Sequence, residues 1–132
     1  MSIVYGANEV VTETISAARV LTMFDSGKEF TLSASAGAQI TLPAVAKKGF
    51  KAKFVIGSAF ATTNWTIKAL SNVIQGSADV NSTLVPGADE NTISFVASAE
   101  TIGDYIEIHS DGSKFYAYGI GAAAGSITFT AP

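Results

Sequence analysis

Short runs of β-branched and aromatic residues, separated by Gly, Ser, Asn and Asp, recur along almost the whole chain. Apolar and polar residues alternate within these runs, which is the two-residue period of a strand with one buried face. The pattern predicts an all-β domain, either an antiparallel β-sandwich or a jelly-roll-like fold. The predicted strands cover residues 9–15, 19–24, 29–33, 39–42, 51–56, 65–69, 73–75, 92–97, 105–109, 114–118 and 126–130.

Two turn sequences mark strand boundaries most clearly. Asp25-Ser-Gly-Lys28 and Asp111-Gly-Ser-Lys114 place an aspartate and a glycine where a tight turn needs a side-chain acceptor and a positive φ. Each turn is predicted to close a hairpin. Helices are not expected, since residues 45–48 are too few for a stable helix and residues 97–102 permit one turn at most.

Length and composition indicate one domain. The chain has 132 residues and a mass of 13.6 kDa, a size at which a single hydrophobic core forms. We expect a short N-terminal extension at residues 1–8 and a single β domain at residues 9–132. Charged residues make up 14% of the chain, against roughly 25% in average soluble domains. So few charges favour a protein that covers part of its exterior with partners.

The charges are unevenly distributed along the chain. Four of the eight basic residues lie close together, and the acidic stretch at residues 79–111 contains no Lys or Arg. We interpret the basic cluster as a candidate protein-interface patch, because complementary charge sets the register between surfaces. A solvated face is the plainer alternative. The net charge of −3 argues against nucleic acid as a partner. The basic cluster consists of Lys47, Lys48, Lys51 and Lys53.

The sequence offers little material for catalysis or cofactor binding. The absence of cysteine excludes disulfides, thiolate nucleophiles and Cys-ligated zinc. The single histidine, His109, precedes Ser110 and Asp111, but the members of a catalytic triad converge from separate elements. The glycines at 119–125 lack the spacing of a dinucleotide-binding fingerprint, and the acidic residues match no calcium-binding loop. We therefore expect no enzymatic activity, no metal and no cofactor.

Targeting signals are also not evident. The first nine residues have neither a cationic flank nor a long apolar run, so they do not resemble a secretory signal. No apolar segment approaches the roughly 20 residues that span a bilayer. We expect synthesis in the cytoplasm and no membrane partner.

Three aromatic residues are candidates for stacking against a ligand. Trp65 shares a strand face with Ile67, which favours a core anchor over an exposed platform. Tyr116 and Tyr118 alternate with apolar residues and are predicted to lie on a half-exposed face. If the chain is a binding module, Trp65, Tyr116 and Tyr118 are its candidate stacking residues.

Several runs, taken together, resemble small structural proteins of tailed-bacteriophage virions, notably head decoration (cement) proteins and related head-fibre domains. The similarity covers roughly residues 20–130 and consists of strand and turn phrases. The runs are FDSGKEFTL at 24–32, AQITLP at 38–43, GFKAKFVIG at 49–57, NWTIK at 64–68, NVIQG at 72–76 and GDYIEIHSDGSKFYAY at 103–118.

This resemblance implies a non-catalytic protein that binds the outer surface of the capsid and stabilises the coat-protein lattice. Members of this class typically form trimers, so the implied partners are the major capsid protein and further copies of this chain. The alternative is a head or tail fibre module that binds a host receptor or a carbohydrate. Some decoration proteins have a long, Pro-rich N-terminal arm, which this sequence does not show.

Overall fold

The structure, a computed structural model, describes residues 10–131. The extension predicted for residues 1–8 lies outside the described residues. The described chain forms twelve strands and a short 3₁₀ helix, Met23–Asp25. The strands are β1 (Thr12–Ile15), β2 (Arg19–Val20), β3 (Glu29–Leu32), β4 (Gln39–Thr41), β5 (Lys51–Ile56), β6 (Trp65–Lys68), β7 (Ile74–Val80), β8 (Thr83–Glu90), β9 (Thr92–Phe95), β10 (Tyr105–Ser110), β11 (Phe115–Gly121) and β12 (Ile127–Thr130).

The strands form two sheets around one hydrophobic core. The larger sheet has the strand order β1-β3-β5-β10-β11-β7-β8, and the smaller has the order β12-β9-β6-β4-β2. Their buried side chains form a single cluster, so the fold is an all-β, sandwich-like single domain. β5 shows the predicted alternation, since Ala52, Phe54 and Ile56 are buried while Lys51 and Lys53 point to the other face.

Up to β6, the chain changes sheet at every connection. β1, β3 and β5 are neighbours in the larger sheet, and β2, β4 and β6 are neighbours in the smaller sheet. Successive strands of one sheet are separated by two connections, so they run in the same direction and pair in parallel. Each connection is therefore a β-arch, which crosses from one layer to the other, and not a hairpin.

This winding corrects two expectations. The sheets are mixed, with β11 and β7 also parallel, so the antiparallel sandwich and the jelly roll, whose strands are antiparallel, do not describe the fold. The turn at residues 25–28 closes an arch between β2 and β3, which lie in different sheets. The turn at residues 111–114 closes the β10–β11 hairpin as predicted, with Ser110 opposite Phe115.

Two further differences have local causes. β8 was not predicted, because Pro86 and Gly87 disfavour strands. The strand lies at a sheet edge, where the missing N–H donor of a proline is tolerated. The strand predicted for residues 19–24 ends at Val20, because a capping box starts the 3₁₀ helix. In that box the Thr22 hydroxyl accepts the Phe24 N–H, and the Asp25 carboxylate accepts the Thr22 N–H.

Large aromatic side chains fill the core. Phe30 and Phe54, on neighbouring parallel strands, stack with ring centroids 5.5 Å apart. Trp65 is fully buried, as its alternation with polar residues predicted. Each such burial contributes about 1.5–3 kcal/mol, so the sandwich is stabilised chiefly by contact between the inner faces of the two sheets.

A cluster of four charged side chains fixes the arch between β2 and β3. Asp25 is only 5% exposed, and its carboxylate lies 2.9 Å from Arg19 Nη2 and 3.0 Å from Lys28 Nζ. Both cations also pair with Glu13 of β1. Burial raises the pKa of Asp25, but the Thr22 N–H, Lys28 and Arg19 outweigh it and hold the pKa below the usual 3.8.

Replacing Asp25 by asparagine should lower the free energy of unfolding by about 1.5–3 kcal/mol, the usual contribution of hydrogen bonds to a charged group. The folded-state pKa is depressed, so this stabilisation is present above the unfolded pKa and is lost as pH falls through the folded pKa. Urea denaturation across a pH series should show a difference between wild type and Asp25→Asn that is constant near neutrality and shrinks below pH 3.8. A difference that acid leaves unchanged would contradict a role for the charge.

Gly76 allows β7 and β11 to approach closely. Its φ is +141°, and it lies opposite Ala117 in the parallel pair, beside a register shift in the β7–β8 pairing. A Cβ at this position would collide with the carbonyl oxygen of Ala117. Only glycine meets both the dihedral and the steric requirement.

Gly76→Ala should lower the free energy of unfolding by about 3 kcal/mol or more, because it adds both backbone strain and overpacking. Gly103→Ala is the matched control, since Gly103 also has a positive φ of +101° but open space around it. The control should lose about 1–2 kcal/mol from backbone strain alone. Thermal or urea unfolding measures both variants, and equal losses would show that the approach to Ala117 is unimportant.

Candidate interaction surface

The parallel winding brings several connections to one end of the domain. β2, β4 and β6 run in the same direction, so the arches that leave them emerge on the same side. β10 is antiparallel to β5, with His109 opposite Lys51, which brings its hairpin turn to that side too. We call this the arch end. It is formed by three arches, at residues 21–28 (the first arch), 42–50 (the second arch) and 69–73 (the third arch), and by the hairpin turn at residues 111–114.

The second arch is fixed to the hairpin turn by hydrogen bonds. The Ser110 hydroxyl donates to the Val45 carbonyl at 2.5 Å and accepts the Gly112 N–H at 3.0 Å. The Gly49 N–H donates to the Ser110 carbonyl at 2.9 Å. Because Ser110 is buried, these bonds are partly shielded from water, and they tie residues 44–50 to the hairpin turn.

The first arch is joined to the second through Ser26. The Ser26 hydroxyl accepts the Lys51 N–H at 3.2 Å, and the Gly27 N–H donates to the Lys51 carbonyl at 2.7 Å. Two backbone segments that are distant in the sequence therefore form one continuous surface.

The structure separates the four lysines of the basic cluster into two environments. Lys47 and Lys48 lie on the second arch and Lys51 at the start of β5, and all three are exposed. Lys53, two residues along β5, lies 3.5 Å from Glu29 and 3.9 Å from Glu107. The arch end thus carries the first three lysines, whereas Lys53 is paired within its own sheet.

Large apolar side chains are exposed at the same end. Phe24 on the first arch is 95% exposed, and Leu70 on the third is 71% exposed. Met23, beside Phe24, is 41% exposed. Sequence reasoning missed these residues, because Phe24 fell within a predicted strand; the signal that could have identified them is an apolar residue directly before a turn sequence.

Most acidic side chains are already paired or hydrogen-bonded within the molecule. Asp89 pairs with Lys114 at 3.0 Å, which lowers its pKa. The N–H groups of Lys114 and Ser113, with the Tyr116 hydroxyl, hold the pKa of Asp111 below its ordinary value. Among residues 10–131, the carboxylates without an ion pair or hydrogen bond are those of Asp79 and Glu90.

The candidate stacking residues do not lie together. Trp65 is fully buried, so no ligand can stack on it. Tyr116 and Tyr118 lie on the outer face of the larger sheet, where the Tyr116 hydroxyl donates to Asp111 at 2.9 Å and Tyr118 is 51% exposed. Hydrogen bonding to Asp111 raises the pKa of Tyr116. Tyr118 lines a shallow groove of about 570 Å³ that also contacts Glu107 and His109.

The neighbouring residues His109, Ser110 and Asp111 do not converge on one another as the members of a catalytic triad do. His109 faces outward and packs on Tyr116, with ring centroids 5.3 Å apart, whereas Ser110 is buried. Adjacent strand residues point to opposite faces, so the histidine cannot activate the serine hydroxyl as a triad base does.

Among residues 10–131, no group of three or more His, Asp or Glu side chains is arranged to hold a metal ion. None of the described helices has the length and apolar character needed to cross a membrane.

Comparison of the chain with protein-family models, curated proteins and solved structures finds no match. The arch end combines exposed apolar side chains with three exposed lysines.

Ser110→Ala should release the second arch, since the Val45 carbonyl loses its donor and the Gly112 N–H loses its acceptor. The expected loss is about 1–3 kcal/mol in the free energy of unfolding, with faster amide hydrogen exchange at Gly112. Ser113→Ala is the control, because Ser113 is exposed and should change stability by less than about 0.5 kcal/mol. Unchanged exchange at Gly112 in Ser110→Ala would argue against this bond.

Proposed function

We propose that this chain is a non-catalytic decoration (cement) protein of a tailed-bacteriophage head, which binds the outer capsid surface and stabilises the coat-protein lattice. The observation that carries the proposal is the arch end, where Phe24 and Leu70 are exposed beside three lysines. Aromatic and apolar anchors with a polar rim are typical of protein–protein contact surfaces. The partners in this proposal are the major capsid protein and further copies of the chain, assembled as a trimer.

The resemblance to decoration proteins supports the same function. Its runs at 24–32, 49–57 and 103–118 correspond to β3, β5, β10 and β11, four adjacent strands of the larger sheet. The same runs contribute parts of the first and second arches and the whole hairpin turn. Three of the six runs that carry the resemblance thus contribute to the arch end and to the sheet that supports it.

A cement protein that binds only the intact lattice must stabilise that lattice by mass action. Heads stripped of the protein should therefore release their DNA at a lower temperature than heads to which purified protein has been added back. A dye that fluoresces on binding DNA, followed during heating, measures the release. Identical release temperatures for stripped and re-decorated heads, with binding verified by gel densitometry, would rule out cementing. Sedimentation at about three times the chain mass of 13.6 kDa tests the trimer.

The second candidate function is a fibre module that binds a receptor or carbohydrate. The groove lined by Tyr118, Glu107 and His109 favours it, since an aromatic face beside polar side chains suits a sugar ring. Copy number on purified particles separates the two functions, because a cement protein is present in many copies and a fibre in few.

A further inference from the structure

We propose that the arch end docks onto an acidic surface of a different protein, with Phe24 and Leu70 as apolar anchors and Lys47, Lys48 and Lys51 as the cations around them. This inference deepens the proposed function, because it names the part of the surface that meets the coat protein. It rests on the proposed function for the identity of that partner.

The order of the strands in the smaller sheet determines the spatial order of the three arches across the surface. β4 lies between β2 and β6 in the smaller sheet, so the second arch lies between the first and the third. Neighbouring strands are about 4.8 Å apart, so the first and third arches leave the sheet about 10 Å apart. The arch that carries Lys47 and Lys48 therefore leaves the smaller sheet between the arches that carry Phe24 and Leu70.

The two anchors differ from ordinary exposed apolar residues. Single exposed apolar side chains are common on folded proteins. Here Phe24 and Leu70 extend from the same end, and Met23 lies beside Phe24. Aromatic anchors surrounded by contacts that exclude water are the positions at which a few residues supply most of the binding energy.

The hydrogen bonds of Ser26 and Ser110 hold the first two arches before any partner binds. A surface that is already ordered loses less conformational entropy on association than a mobile loop does. The arch end therefore meets the requirement for a preorganised docking surface.

The charges indicate what the partner must carry. Within the described part of the chain, no carboxylate lies within ion-pair distance of Lys47, Lys48 or Lys51. A second copy offers few carboxylates in return, because all but Asp79 and Glu90 among those described are already engaged. Nucleic acid is disfavoured by the net charge of −3, and leucine does not stack on bases. An acidic protein surface with apolar recesses is the complementary partner.

The test uses a random copolymer of glutamate and tyrosine as a probe that is both acidic and aromatic. Binding to the full chain is followed by amide chemical shifts, and the dissociation constant by fluorescence anisotropy. Shift changes should be confined to the arch end, at residues 22–28, 44–51, 69–73 and 111–114. Affinity should fall at least tenfold between about 0.01 M and 1 M salt, where the screening length decreases from about 30 Å to 3 Å. Polyglutamate, which lacks the aromatic groups, should bind about tenfold more weakly than the copolymer.

Matched variants separate the anchors from general effects. Phe24→Ala and Leu70→Ala should each weaken copolymer binding about tenfold, whereas Leu84→Ala and Ile102→Ala, which also truncate exposed apolar residues, should not change it. The variant K47Q/K48Q/K51Q and the control S35E/A36E/A59E both change the net charge from −3 to −6. The control places its new charges on the arches at the opposite end. Only the lysine variant should lose about tenfold in affinity.

Several results would overturn the inference: shifts located elsewhere, no binding at low salt, equal losses in the two charge variants, or tighter binding of single-stranded DNA than of the copolymer. Head binding distinguishes this failure from failure of the proposed function. If heads bind wild type and the arch-end variants equally, the docking surface is wrong and cementing stands. If the copolymer binds at the arch end but heads bind no protein, the docking surface stands and the proposed function fails.

Discussion

The fold depends on one constraint: the first six strands are divided between two sheets that share one core, and every connection between them passes from one sheet to the other. A chain that crosses at each connection returns to the same sheet only after two crossings, so its strands pair in parallel. Parallel strands end on the same side, and this places three arches together. The position of the lysines and of the exposed phenylalanine is thus a consequence of how the core is enclosed.

The sequence predicted the strands better than their pairing, and the physical reason is visible at two turns. Burial of alternate residues is a local property of a strand, so β5 was predicted with its observed bounds. Strand pairing depends on which sheet the next strand joins after a turn. Asp25-Ser-Gly-Lys28 and Asp111-Gly-Ser-Lys114 have the same turn chemistry, yet the first closes an arch and the second a hairpin. The difference lies in tertiary contacts, such as the ion pairs of Arg19 with Glu13 and Asp25, which depend on how β1 and β2 are placed beside the turn and are not specified by turn chemistry.

The candidate surface was only partly predictable for a similar reason. The clustering of Lys47, Lys48 and Lys51 is a property of the sequence, whereas the pairing of Lys53 with Glu29 and Glu107 requires three adjacent strands. Residues 79–111 read as an uncompensated acidic stretch, but Lys114 pairs with Asp89 and backbone N–H groups bind Asp104 and Asp111. Whether a charged side chain is available to a partner depends on its accessibility, and accessibility is set by the tertiary fold.

The carboxylates that stabilise the turns at the arch end are also the anionic groups that could have paired with its lysines. A tight turn leaves backbone N–H groups without partners, and aspartate is a common acceptor for them. Asp25 and Asp111 serve this purpose at the arch end, where they accept the N–H groups of Thr22, Ser113 and Lys114. Asp25 also pairs with Arg19 and Lys28, and Asp111 also accepts the Tyr116 hydroxyl, so neither carboxylate pairs with a lysine of the second arch. The turns that build the arch end therefore engage two of its anionic groups, and Lys47, Lys48 and Lys51 extend into solvent without an internal partner among the described residues.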